Sequence, residues 1–196
     1  MEKTRFFALI LIIVFISFCG FIVENISTSI SDHKIDNRNM TLPFLLGYGL
    51  AILVIFELFG TPNNPLFWGK EIIINSSFLS FLYYFIITFL CVTVGELILG
   101  HFIELTCQIK WWNYSALPLH ITQYTSIPTS TVFALLITLF MKYIFSPMLN
   151  LFSKINPPFL AILSVSLIII LSIDFIHSGI YMFTHHTILK IWHIEF

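Results

Sequence analysis

From Phe6 to Val23 the chain runs eighteen residues without a charged side chain. At about 1.5 Å of rise per helical residue, such a run crosses most of the roughly 30 Å hydrocarbon layer of a bilayer. Counting this first span as 6–24, comparable apolar segments at 41–60, 78–104, 127–147 and 159–182 bring the total to about five. Backbone exposed to lipid has no water to bond to and must satisfy its own hydrogen bonds, so each segment is a helix candidate. With 58% hydrophobic and only 10% charged residues, the chain has too little polar surface to coat a water-soluble globule. The reading is an all-α, polytopic integral membrane helical bundle of about five transmembrane helices, forming a single domain over residues 1–196.

Proline positions fit these boundaries. Pro43 and Pro128 fall in the first turns of the second and fourth segments, where a missing N–H costs little, and Pro147, Pro157 and Pro158 bracket the last connection. The polar connections are too short for a soluble domain, and no repeat of useful length stands out. The N-terminal segment has the charged lead and apolar run of a signal peptide without a small-x-small cleavage site. Its ISFC stretch resembles a lipobox, but the bulky Phe18 precedes Cys19, so the segment is expected to stay as the first span.

Several function classes drop out. A net charge of -1, with nine Lys and Arg scattered singly, provides no basic face for nucleic acid. Cys19, Cys91 and Cys107 lie in or beside apolar segments without redox or zinc spacing and read as packing residues. There is no GxxxxGK[ST] loop, no HExxH and no GxSxG. Neither a cofactor nor a metal is expected, and any ATP hydrolysis must come from another chain.

An odd number of spans puts the termini on opposite faces. The N-terminal side carries Lys3, Arg5, Lys70, Lys142 and Lys154 against Lys34, Arg38, Lys110 and Lys190, and this bias of five to four puts the N-terminus in the cytoplasm of a cell-membrane protein. The polar groups then gather near the other face. Glu24 ends the first span, and Glu96 lies roughly 27 Å along the third, followed by His101 and Glu104. Asp174 and His177 occupy the matching depth of the fifth. Arg38 and Asn37 in one connection, and Trp111, Trp112, Asn113 and Tyr114 in another, sit at the same level.

Glu96 and Asp174 are the most informative of these. A carboxylate near a span centre costs about 2.5–3.5 kcal/mol on insertion scales, so it should face the bundle interior and be protonated, paired or solvated. Glu96, Gly100 and Glu104 recur every four residues on one helix face, and Gly100 allows a close approach there. His101 with Glu104, and Asp174 with His177, share a spacing of three that can put acid and imidazole side by side. Each group also has a plainer reading: Glu24, Glu104 and Arg38 as headgroup contacts, the tryptophans and Tyr114 as an aromatic belt, and the buried acids as helix-to-helix bonds. Glu57 stands apart with no role, and His185 and His186 fall in an exposed tail.

The stretches FCGFIVE (with Gly20 and Glu24), NRN (Asn37–Asn39), LPFLLGYG, GELILGHFIE and WWNYSALPLHI occur in an order that resembles the CmpB-type ABC-transporter permease family of small bacterial membrane proteins. The resemblance covers about residues 15–150. It departs at Asn39, where the family shows glycine, at Asn113, where it shows an acid, and at His120, where asparagine is usual. It implies a permease subunit working with a separate ATPase on a small solute or lipid. Two alternatives come from the residues alone: a structural or regulatory membrane subunit, and an intramembrane enzyme that modifies lipid, using Glu104 or Asp174 as base and Arg38 to hold a headgroup.

Overall fold

A computed structural model of the chain describes residues 2–196. The chain is 66% helical, with six helices and little sheet among the described residues, as the all-α reading expects. Helices α1 (Glu2–Asp32), α3 (Ser77–Cys107) and α6 (Pro157–His185) contain the expected first, third and fifth spans and are long and apolar enough to cross a membrane. Helices α4 (Ile127–Tyr143) and α5 (Phe145–Phe152) make a fourth if they count as one span across a break at Ile144. Helix α2 (Leu46–Phe59) has fourteen residues, so it reaches only about 21 Å. Large apolar side chains point outward along the long helices, among them Ile98 (66% exposed), Leu105 (81%) and Ile162 (69%). In water such faces would drive association, whereas against lipid tails they are at home. The chain is a membrane protein.

Two expectations shift, one in the second span and one in the first. Helix α2 starts at Leu46, leaving Pro43 ahead of it rather than in its first turn. The residue before a proline avoids helical dihedrals, and the Thr41 and Leu42 amides already have an acceptor in the Asp174 carboxylate. Helix α1 runs past Glu24 to Asp32 before His33 turns left-handed (φ 53°).

The chain divides into two compact units. The first comprises Met1–Leu53 and Met148–Phe196. Here α1 and α6 run parallel: Ser164 Oγ donates to the Phe7 carbonyl near their starts (2.9 Å), and Leu171 packs with Ile13, Val14 and Leu46 farther along. Beyond their ends, strand β1 (Lys34–Asp36) pairs antiparallel with the C-terminal strand β7 (His193–Glu195), setting Lys34 opposite Glu195. Asn37 and Asn39 hold the approach to that strand. Asn37 Nδ2 donates to the Leu189 carbonyl (2.9 Å), its Oδ1 accepts from Ile191 N–H (3.1 Å), and Asn39 Oδ1 accepts from Leu189 N–H (2.6 Å).

The second unit, Val54–Pro147, is an antiparallel pair of α3 and α4. Strands β2 (Gly60–Thr61), β3 (Asn64–Phe67) and β4 (Lys70–Glu71) form a small sheet at one end. Ser80, Tyr83 and Tyr84 tie α3 to it by donating to the Pro62, Leu66 and Gly60 carbonyls. At the other end, β5 (His120–Thr122) and β6 (Thr125–Ser126) form a hairpin that leads into α4, capped by Ser126 with Pro128 in the first turn.

Candidate functional site

In the second unit the helix pair meets along a polar seam. On α3, Ser80, Tyr84, Thr88, Val92, Glu96, Gly100 and Glu104 recur at four-residue spacing, as do Ser126, Ser130, Ala134, Thr138 and Lys142 from the start of α4. Residues four apart form one ridge of a helix, and small side chains along it let two backbones approach. Thr88 and Thr138 share a hydrogen bond across the seam (3.1 Å), and Ser130 Oγ donates to Glu96 (3.4 Å). Glu96 is half-buried, facing α4 rather than lipid.

The seam ends at Glu104. Its Oε2 accepts from the Tyr124 phenol and from Gln123 Nε2 (3.2 Å), both in the β5–β6 turn. Lys110 Nζ lies 3.9 Å from Oε1. The Tyr124 ring lies over Gly100, so closely that a Cβ there would strike it. The close approach expected at Gly100 is thus made by a hairpin side chain. Trp112 supports the same turn by donating Nε1–H to the Tyr124 carbonyl (2.8 Å), with its ring edge-on to Tyr124. Burial and the Glu104 carboxylate push the Tyr124 phenol up to about 12, since both disfavour its anion.

The first unit repeats this arrangement with different residues. Glu24, four residues after Gly20 on α1, accepts from the Tyr48 phenol and from Arg38 Nη2 (3.0 Å). A Cβ on Gly20 would come within 2.7 Å of the Tyr48 ring. Asp36 flanks the guanidinium at 3.8 Å and accepts from the Arg38 amide (2.7 Å).

Asp174 is buried, and its two carboxylate oxygens accept from the Thr41 and Leu42 amides, each at 3.0 Å. His177 is exposed on the same helix and makes no bond to Asp174 among the described residues. His101 is also exposed. Its Nδ1 lies 2.8 Å from the Leu97 carbonyl, and its ring meets Tyr124 at 5.0 Å, so it joins Glu104 only through that tyrosine. The Trp111 ring lies tilted against Trp112, Asn113 Oδ1 closes a local turn by accepting from Ser115, and the Tyr114 amide donates to the Gln123 carbonyl. Asp174 belongs to the first unit and Glu96 to the second. Among the described residues no three His, Cys, Asp or Glu form a metal-binding group.

A family model described as "Putative ABC-transporter type IV" matches residues 11–179. The chain belongs to this family. No curated protein and no solved structure matches it. The family match takes in both glutamate–tyrosine clasps and stops before the C-terminal strand.

Tyr48, Tyr124 and Gln123 escaped the sequence reading. A signal was present: each clasp opens with Gly-x-x-x-Glu, and each closes with a twelve-residue segment that begins at Asn, contains Leu-Pro and ends at Tyr, 37–48 in one case and 113–124 in the other.

Proposed function

We propose that this chain is the membrane subunit of a transport system whose working groups lie on the α3–α4 seam, with Glu96 and Glu104 contacting a solute or exchanging protons. ATP hydrolysis would come from a separate chain, in keeping with family membership. The supporting observation is the seam itself. Ser80 and Glu104 lie twenty-four positions apart on one helix, or about 36 Å, enough to cross the hydrocarbon layer. Polar side chains in lipid are expensive, and along this seam they face a partner helix rather than the tails. In this reading the N-terminus is cytoplasmic, and Asp174, Arg38 and Glu24 maintain the scaffold.

A second reading, a structural subunit, draws on the first unit, where the Glu24 and Asp174 carboxylates have partners within the chain. The two separate in proteoliposomes holding the native complex isolated in mild detergent. For a working seam, Glu96→Gln lowers the ATP hydrolysis that depends on this subunit by about tenfold, the factor that 1.4 kcal/mol represents. Unchanged hydrolysis in an intact complex would leave the structural reading standing.

A further inference from the structure

The two clasps are built alike and completed differently. Each seats a tyrosine ring on a helical glycine and commits one carboxylate oxygen to the phenol. The other oxygen is left for a cation. In the first unit Arg38 takes it at 3.0 Å, and the two side chains are only 15% and 19% exposed. In the second unit the nearest cation, Lys110, stands off at 3.9 Å, and the pair is 52% and 35% exposed. The same carboxylate is therefore satisfied from within the chain in one clasp and loosely attended in the other.

We propose that the clasp of the second unit binds an organic cation of the ammonium or guanidinium class at Glu104 Oε1, in the role that Arg38 fills at Glu24. The first clasp carries much of the argument, because it shows a guanidinium seated against a glutamate already bonded to a tyrosine. Ring surfaces add to it: His101 and Trp112 both meet Tyr124 edge-on and Trp111 lies tilted against Trp112, giving an aromatic surround to the turn that bonds Glu104. Such surfaces favour organic cations over small, strongly hydrated ones. The donor set points the same way, since the phenol and the Gln123 amide already donate to the carboxylate and neither is arranged as a metal ligand. Lys110, on an exposed stem, is readily displaced by a better-fitting cation.

The inference rests on the second unit being the working half, yet its test needs no transport partner. The full chain is placed in phosphatidylglycerol nanodiscs, which carry no amine headgroup, and titrated with ethanolamine and with guanidinium chloride while tryptophan emission is followed. Sodium chloride serves as the control salt. A saturable response to the cations is expected. Glu104→Gln should weaken it about tenfold or more, while Lys110→Ala, by removing the competitor, should tighten it severalfold. A gain in affinity cannot arise from misfolding, so the second variant keeps the test decisive if the first folds poorly. Absence of saturable binding in both wild type and Lys110→Ala, or binding indifferent to Glu104→Gln, would overturn the proposal. Repeating the titration in phosphatidylethanolamine nanodiscs identifies the source: a suppressed response means that the lipid headgroup occupies the site, and an unchanged one means a soluble cation. Cation binding without transport would remove the permease role and keep the site, whereas transport without saturable cation binding would remove the site and keep the permease role.

Discussion

Glu24 and Glu104 hold equivalent posts in the two units and live in different electrostatic circumstances. The first is enclosed with a guanidinium whose backbone amide is itself fixed by Asp36. The second keeps its phenol and amide partners but shares its charge with a half-exposed lysine. The same division holds for the other acids: Asp174 is held by two backbone amides, while Glu96 has a long bond from a serine hydroxyl. A carboxylate held by fixed donors stabilises one geometry. A carboxylate held by rotatable hydroxyls can change partners, as binding or proton exchange requires. Under the proposed function, the first unit provides rigidity and the second the exchangeable chemistry.

Removing the cation from each clasp should show the largest difference. Arg38→Ala leaves Glu24 mostly buried without its charge partner, and such a loss costs about 3–5 kcal/mol. Lys110→Ala removes an exposed, distant partner and should cost no more than about 1 kcal/mol. Thermal unfolding of the purified protein in detergent reads both, and equal losses would erase the distinction between the clasps.

The glycines come next in size. Gly20→Ala and Gly100→Ala each push a methyl group into a tyrosine ring, an overpacking that costs about 1–3 kcal/mol. Gly95 sits on the same helix as Gly100 with no atom within 4 Å of an added Cβ. Gly95→Ala should therefore follow helix propensity and be neutral or stabilising by up to about 1 kcal/mol. If Gly95→Ala proved as harmful as Gly100→Ala, the seating of Tyr124 on α3 would lose its support.

Much of the helical frame could be read from residue order, since continuous apolar runs leave the chain few alternatives in a membrane. The starts of α4 and α6 follow from Pro128, Pro157 and Pro158. The late start of α2 did not, because it depends on Asp174, more than 130 residues away, capturing two amides before Pro43. The short strands were equally hidden, in segments that read as plain polar connections. Asn37 and Arg38 were recognisable as a motif, but their partners at Glu24, Leu189 and Ile191 depend on folding. The paired clasps eluded a search for fixed periods because Gly20 precedes its tyrosine by 28 residues and Gly100 by only 24.

The expected effect confined to the narrowest range of conditions concerns alkaline pH and tests the second clasp alone. Tyr124 ionises near 12 in the folded chain, against an ordinary value of 10.0. Between those values the unfolded chain has released the phenolic proton while the folded chain still holds it, so the unfolded state binds fewer protons and stability falls as pH rises. Below pH 10 the contribution is complete; above about 12 it is gone. Tyr124→Phe removes the ionising group and should flatten this part of the melting profile between pH 9.5 and 12 relative to wild type, with melting followed by tryptophan emission. The ring of the phenylalanine still covers Gly100, so the packing is retained and the change in slope reports the burial of the phenol together with its bond to Glu104. Identical slopes in the two proteins would mean that Tyr124 does not share a proton-sensitive bond with Glu104, and the likeness between the clasps would reduce to ring packing on a glycine.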